Sequence, residues 1–304
     1  MRCKLLRTVT VATFLFMAAV GAHAADLRNV LIDYTVTSWS TADGLPGGTI
    51  WSLAQDRDGF LWVGGDFGLL RFDGVRFTSF EALSGADAVN PRAVRFLCAS
   101  RDGSLWVAWG DRNGLARVRD GHVSTYAEKQ GLPASAVSVL FEDRGGTVCA
   151  GTSGGFYLYG DADDRWSPVP TADTTAAAPM RTASIGPSGD LLVVTDTGVL
   201  QHTEDQRVLQ LERSDPSDPI RSVAQDRFGR VWVTDRVVGF RQLGQSKQAR
   251  SHADGGKGQR LLLDRRGNLW VATFGQGLWR ALLDEGSDPA IERATVFTGL
   301  SNDV

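Results

Sequence analysis

The chain has 304 residues, of which 42% are apolar and 22% are charged, and its formal net charge is −3. This composition excludes a disordered polypeptide and is sufficient for one large hydrophobic core or two ordinary ones. The acidic excess argues against a surface that binds phosphate backbones, so nucleic acid is not an expected partner.

The first 24 residues have the pattern of a secretory signal peptide. Arg2, Lys4 and Arg7 form a basic start, an apolar run extends from Val9 to Val20, and Ala22-His23-Ala24 is typical of a cleavage site. The run is shorter than the roughly 20 residues that span a bilayer, although an uncleaved membrane anchor is the alternative. We therefore predict a signal peptide at residues 1–24, a mature chain at residues 25–304, and an exported, periplasmic protein.

A unit of about forty residues then recurs along the chain, which is the signature of a repeat architecture. In its clearest copy, residues 50–74, a short apolar stretch precedes an Asp-x-x-Gly turn, and a second apolar stretch follows it. The turn glycine recurs as Gly59, Gly103, Gly146, Gly189, Gly229 and Gly267. The residue three positions after each glycine is Trp62, Trp106, Cys149, Leu192, Trp232 and Trp270, respectively, which we interpret as packing residues.

Each repeat predicts four short antiparallel strands that are joined by tight turns, as in one blade of a β-propeller. No stretch of the mature chain has the apolar spacing of a helical solenoid. We therefore predict an all-β fold, a β-propeller of the seven-bladed type with four-stranded blades.

Both ends of the repeat array suggest that the ring is incomplete in this chain. Gly299–Val304 resembles the beginning of another repeat, and Tyr34–Trp39 is typical of an outer strand without a blade of its own. Propellers commonly close by pairing such a strand with the last blade. We expect residues 25–304 to be one sensor domain of six blades and one closing strand, cut from a longer polypeptide.

Two cysteines remain after the predicted cleavage, Cys98 and Cys149. The repeat places them on different strands of neighbouring units, which favours two buried thiols, with a disulfide as the alternative.

Three segments, Trp39–Pro46, Gln55–Gly64 and Gly68–Gly74, resemble the two-component regulator propeller repeat. The resemblance implies the extracytoplasmic, non-catalytic sensor region of a bacterial regulator whose output is a histidine kinase or a diguanylate cyclase. It also implies a small-molecule or oligosaccharide ligand, a homodimeric full-length protein, and membrane attachment only through a part beyond residue 304. If the chain is complete as it stands, a nonfunctional remnant is the alternative.

Two other classes of function stay open. Similar propellers, the streptogramin lyases, use a histidine and a magnesium ion, but His122, His202 and His252 fall at unrelated offsets within their repeats. The acid-rich segment Gly160–Arg165 lacks the order of a calcium loop, so we interpret it as a polar connection between blades. We predict no catalytic residue, metal site or cofactor, while a structural, protein-binding propeller is the third class.

The repeat also indicates where a ligand could bind. The position eight residues before each turn glycine begins the inner strand of a blade, and it holds Trp51, Arg95, Ser138, Arg181, Arg221 and Gln259. Three arginines here would bind an anionic ligand, such as a sugar acid, while Trp51 would offer a stacking face. The loops between second and third strands add Asp66, Arg112, Asp196, Arg236 and Phe274. Salt bridging between blades, or coincidence, is the alternative reading of this column.

Overall fold

The structure is a computed structural model that describes residues 37–84, 93–110, 114–169, 180–203, 208–215, 217–235, 239–244, 257–274, 277–285 and 289–294. The predicted signal peptide, Tyr34–Val36 of the predicted closing strand and the Gly299–Val304 segment lie outside these ranges. No helix in the described ranges has both the length and the apolarity to span a bilayer.

The strands form six antiparallel sheets in the described part of the chain. Sheet 1 consists of β1 Ile50–Gln55, β2 Leu61–Gly65, β3 Gly68–Phe72 and β4 Phe77–Ser79, and sheet 2 of β5 Val94–Ala99, β6 Leu105–Trp109, β7 Leu115–Arg119 and β8 His122–Tyr126. Sheet 3 consists of β9 Val137–Glu142, β10 Val148–Thr152, β11 Gly155–Gly160 and β12 Arg165–Pro168, and sheet 4 of β13 Met180–Ile185, β14 Leu191–Thr195, β15 Gly198–His202 and β16 Val208–Arg213. Sheet 5 consists of β17 Ser222–Gln225, β18 Val231–Asp235 and β19 Gly239–Gln242, and sheet 6 of β20 Lys257–Leu263, β21 Leu269–Phe274, β22 Leu278–Leu282 and β23 Ala290–Ala294. One short helix, α1 Phe80–Ser84, and two 3₁₀ turns, Thr41–Asp43 and Glu128–Gln130, complete the described elements.

Within each sheet the strands pair in chain order, and the first strands of consecutive sheets contact one another, from β1 through β5, β9, β13 and β17 to β20. These first strands are therefore the inner strands around which the blades are arranged. The predicted all-β propeller is confirmed, while a ring of seven blades stays a prediction. Sheet 5 shows three strands instead of the predicted four, because residues 245–256, which follow β19, lie outside the described ranges.

Two predictions about connecting segments are wrong. Thr37–Trp39 is not a strand. Trp39 instead packs edge-on against the rings of Phe72 and Phe77, with centroids 4.9 and 6.4 Å away. The acid-rich segment 160–165 does not connect two blades either, since it is the turn between β11 and β12 within sheet 3.

The six turn glycines all adopt a positive φ, between 80° and 98°, as the repeat predicts. The aspartate that begins the turn fixes its shape, since Asp56 Oδ1 accepts hydrogen bonds from the amides of Asp58 and Phe60 at 3.0 and 2.9 Å. This explains why the glycine and the aspartate recur together.

The aspartate also bonds the tryptophan of the next strand, which explains a second element of the repeat. In sheets 1, 5 and 6 the other carboxylate oxygen accepts a hydrogen bond from the indole N–H at 2.7 to 2.9 Å, in the pairs Asp56–Trp62, Asp226–Trp232 and Asp264–Trp270. Burial alone would raise the pKa of Asp264, but its bonds from Trp270 and Asn268 lower it below the usual value. Sheet 2 has Ser100 in the place of the aspartate, and the buried indole N–H of Trp106 has no partner among the described residues.

The two cysteines are buried, free thiols, which confirms that prediction. Cys98 lies in the core between sheets 2 and 3, whereas Cys149 lies in the core between sheets 3 and 4. Burial raises the pKa of the Cys98 thiol to about 12, so it stays protonated at neutral pH.

Buried arginines also join neighbouring sheets. Arg117 of β7 donates to Asp102 at 2.5 Å in its own sheet, and to Tyr159 and Asp161 of sheet 3 at 2.9 and 3.0 Å. Asp164, in the same turn as Asp161, accepts hydrogen bonds from the hydroxyls of Tyr126 and Tyr159 at 2.6 and 2.5 Å. These acids therefore hold sheets 2 and 3 together.

The faces of the first and last sheets differ from the internal ones. Leu97 of sheet 2 packs against sheet 1 and is 7% exposed, whereas Leu53, at the same position of sheet 1, is 57% exposed. On the opposite face of a sheet, Cys98 is 8% exposed, whereas its equivalent in sheet 6, Leu262, is 65% exposed. Sheet 1 thus exposes the face that sheet 2 packs against its preceding sheet. Sheet 6 exposes the face that sheet 2 packs against its following sheet.

We predict that Leu97→Asp lowers the free energy of unfolding by about 3 kcal/mol or more, because it places an unpaired carboxylate in a packed interface. Leu53→Asp, at the equivalent exposed position, should change it by less than about 0.5 kcal/mol. Chemical denaturation of the two variants checks this. Equal losses would contradict the description of the two faces.

We also predict that Asp264→Ala costs about 1 to 3 kcal/mol more than Asp143→Ala, because only Asp264 leaves an indole N–H without its acceptor. Asp143 begins a turn of the same kind, but Cys149 stands in the place of the tryptophan. A double-mutant cycle with Trp270→Phe, measured by denaturant unfolding, isolates the indole bond. A coupling energy near zero would refute it.

Candidate functional site

The predicted inner-strand column (Trp51, Arg95, Ser138, Arg181, Arg221 and Gln259) lies at one end of the sheets, where the inner strands begin and the turns between second and third strands lie. We call this end the bulge end, and the end with the Asp-x-x-Gly turns the turn end. In five sheets the pairing of the inner strand shifts by one residue at the column, which is a β-bulge. Bulges re-aim side chains and are frequent beside functional sites. The repeat thus directs one selected residue per blade at this end.

In sheet 1 the column residue belongs to a small cluster. The indole N–H of Trp51 donates to Asp66 Oδ1 at 2.6 Å, and the guanidinium of Arg95 from sheet 2 lies over the Trp51 ring, 3.7 Å from its centroid. The pKa of Asp66 is lowered by the bond from Trp51, by the Thr49 amide and by the charge of Arg95. Arg95 therefore covers one face of the Trp51 ring. Trp51 is still 44% exposed, so its use as a stacking face stays a prediction.

The other column residues bond to their neighbours in different ways. Arg181 Nε donates to Asp196 Oδ1 of the same sheet at 2.5 Å, and Arg221 Nη1 donates to Gln259 Oε1 of the next sheet at 2.7 Å. Ser138 Oγ donates to the carbonyl of Gly151 at 3.2 Å. The predicted loop residues Asp66 and Asp196 thus act as partners of the column, 15 residues after Trp51 and Arg181.

These contacts leave the three column arginines in different electrostatic states. The charge of Arg181 is compensated by Asp196, whereas Arg95 and Arg221 form no ion pair with a carboxylate in the described ranges. The Nε atom of Arg221 is buried and has no hydrogen-bond partner among the described residues. Arg95 and Arg221 are therefore the members of the column that can still bind an anion.

Of the predicted loop residues, Phe274 lies at the end of β21 and is 57% exposed. It is thus an apolar ring at the bulge end. Arg112 and Arg236 lie outside the described residues.

Sequence reasoning missed a second column of arginines at the turn end. Two residues before the turn glycine, five of the six repeats have an arginine: Arg57, Arg101, Arg144, Arg227 and Arg265. Arg101 shows their structural role, since its guanidinium donates to the carbonyls of Asp143 and Arg144 in the next sheet, both at 2.7 Å. The same comparison of repeat positions that found the first column would have found this one.

The described histidines lie away from the column. His122 begins the outer strand of sheet 2 and its Nδ1 is 3.0 Å from the carbonyl of Asp120, while His202 ends the third strand of sheet 4 beside the ring of Phe156. Burial lowers the pKa of His202. His252 lies outside the described residues. Within the described ranges, no three His, Cys, Asp or Glu side chains are placed to hold a metal ion.

Comparison with solved structures finds several propellers of similar architecture. The extracellular domain of a hybrid two-component system from Bacteroides thetaiotaomicron is 19% identical with a TM-score of 0.69, over 88% of this chain and 38% of that one. PorZ, a surface component of the type-IX secretion system of Porphyromonas gingivalis, is 17% identical with a TM-score of 0.66, over 89% of this chain and 44% of that one. Virginiamycin B lyase from Staphylococcus aureus is 12% identical with a TM-score of 0.62, over 81% of this chain and 84% of that one.

At these identities the similarities establish the fold alone, and this chain spans well under half the length of the two-component domain. No curated protein matches the sequence. The family model of the two component regulator propeller matches residues 44–67, which include β1, β2 and Asp66. The chain therefore carries a repeat of the two-component regulator propeller family, within a propeller fold.

Proposed function

We propose that the chain is the ligand-sensing input domain of an exported bacterial signal-transduction protein and that an anionic small molecule or oligosaccharide binds at its bulge end. One observation carries the binding proposal: the bulged column holds Arg95 and Arg221, and neither forms an ion pair with a carboxylate in the described part of the chain. Asp66 interacts with the charge of Arg95 without forming an ion pair with it, so an anionic ligand could form charge-assisted hydrogen bonds with either guanidinium. The family match at residues 44–67 supports the sensor class.

The same family match supports a proposal for the rest of the signalling protein. A C-terminal part beyond residue 304 would attach the sensor to the membrane and transmit ligand binding, by a conformational change or dimerisation, to a kinase or a diguanylate cyclase. The solved two-component domain, of which this chain spans 38%, supports such a longer arrangement. The propeller itself would bind its ligand without chemical change.

Ligand binding at this end would use the arginines unequally. The guanidinium of Arg95 lies 3.7 Å from the centroid of the Trp51 ring, so it is preoriented at little entropic cost. Arg221 is fixed by Gln259, a neutral partner that leaves its charge uncompensated. A carboxylate bound beside either arginine would therefore meet a cation that is already ordered.

We predict that Arg95→Gln combined with Arg221→Gln weakens the binding of uronic-acid oligosaccharides at least tenfold, because charge-assisted hydrogen bonds contribute about 1.5 to 3 kcal/mol each. Arg265→Gln, which removes one exposed cation at the turn end, is the matched control and should change the affinity less than twofold. Isothermal titration calorimetry at low ionic strength measures all three proteins. Unchanged binding in the double variant, or equal loss in the control, would end the proposal of an anionic ligand at the bulge end.

Export can be tested separately. We predict that residues 1–24 fused to alkaline phosphatase give an active reporter in a bacterial host, because this enzyme needs disulfides that form outside the cytoplasm. A fusion that begins at Ala25 is the control and should be inactive. Equal activity of the two fusions would contradict a signal peptide at residues 1–24.

A further inference from the structure

A cavity of about 450 Å³ lies along the inner strands of sheets 4, 5 and 6 and reaches the turn end at sheets 3 and 4. Its polar lining includes Arg144, Thr182, Ser184, Gln225 and Arg260. Among the described residues that line it, two are cationic and none is a carboxylate. The cavity is thus a positively charged space that is open to solvent, and its lining begins one residue after the inner-strand column.

Arg260 is the unusual residue of this lining. It follows the bulge of β20, and its side chain forms no hydrogen bond or ion pair with any residue in the described ranges. The protein that surrounds it lowers the pKa of Arg260 by desolvation. Arg260 is nevertheless exposed, so its unpaired guanidinium is accessible to an anion from solvent.

Arg144 is the second cation of the cavity, and its position is fixed from two sides. Its Nη2 donates to the carbonyl of Pro187 in sheet 4, and its own carbonyl accepts a hydrogen bond from Arg101 Nη1 at 2.7 Å. This contact uses only part of the guanidinium, which has five N–H donors. The remaining donors are held at the entrance of the cavity by the same turn-to-turn contacts that join the sheets.

Hydroxyl groups supply neutral hydrogen-bonding capacity inside the cavity. Thr182 and Ser184 lie on β13, two residues apart and therefore on one face of the strand, and both line the cavity. Neither side chain forms a hydrogen bond within the described part of the chain, whereas the Gln225 amide donates to the carbonyl of Gly229 at 3.3 Å. The cavity therefore offers two cations and two uncommitted hydroxyls.

We propose that this cavity is a second binding site, for a small ligand with a carboxylate, sulfate or phosphate group that pairs with Arg260. The volume of the cavity is within the range of sites that enclose small molecules, and the hydroxyls of β13 suit the polar remainder of a sugar. The site shares no residue with the inner-strand column, so it does not depend on the function proposed for the bulge end.

Four probes of nearly equal size test the site: glucose, glucuronic acid, glucose 6-sulfate and glucose 6-phosphate, each titrated calorimetrically into the full chain at low ionic strength. We expect at least one acidic probe to bind at least tenfold more tightly than glucose, and the probe that does so identifies the preferred anion. Failure of all three acidic probes to exceed glucose would overturn the proposal.

Variants then locate the binding. Arg260→Gln should weaken the preferred probe at least tenfold, and Arg260→Lys should weaken it less, because lysine keeps the charge but loses the planar fork. Arg265→Gln, in the exposed turn of the same sheet, should change the affinity less than twofold, whereas the Arg95→Gln/Arg221→Gln double variant reports whether the probe binds at the bulge end instead. Circular dichroism verifies that every variant is folded. Retained binding in Arg260→Gln and Arg260→Lys, or a tenfold loss in the double variant alone, would assign the binding elsewhere and overturn the site.

Discussion

Each sheet of this protein has two apolar faces, and a four-stranded sheet can cover neither of them by itself. The faces must therefore pack against neighbouring sheets, and the hydrophobic clusters of the structure lie between consecutive sheets. This requirement fixes the residues that point sideways in each strand, such as Leu97 and Trp106. It leaves free only the strand ends and the turns, where the candidate binding residues lie. Scaffold and site are thus separated by geometry within every repeat.

Much of the fold could be predicted because the repeat reports packing directly. The spacing of Gly59 and its equivalents predicted the turns, and the apolar runs between them predicted the strands around an inner axis. The errors fell where the sequence has a single copy of a feature. Thr37–Trp39 resembles a strand in residue type, but the stacking of Trp39 on Phe72 decides its place, and no periodicity reports such a contact. The turn at residues 160–165 was misplaced for the same reason.

The position of the candidate site could be predicted from the sequence, but the contacts between its residues could not. The repeat identified the inner-strand column, since the residue type at this fixed distance before the turn glycine varies from unit to unit. It could not show that Arg95 lies on Trp51 or that Arg181 is neutralised by Asp196, because both contacts depend on the close approach of separate turns. The cavity beside Arg260 was equally invisible, since it is formed by three strands that are distant in sequence. The turn arginines recur at a fixed position in five repeats, so they could be predicted from the sequence.

Because the turn aspartate accepts a hydrogen bond from the indole, loss of the aspartate and loss of the tryptophan have different consequences for a repeat. Without its tryptophan, as in sheet 3, Asp143 still accepts the Thr147 amide at 2.8 Å and still shapes its turn. Without its aspartate, as in sheet 2, the buried Trp106 indole N–H has no hydrogen-bond partner within the described ranges. Substitutions in such a repeat are therefore order-dependent: a blade tolerates losing the tryptophan first, while losing the aspartate first leaves a defect that favours replacement of the aromatic ring as well. Sheet 4, which has Gly186 and Leu192 at the two positions, lacks both partners and has no such defect.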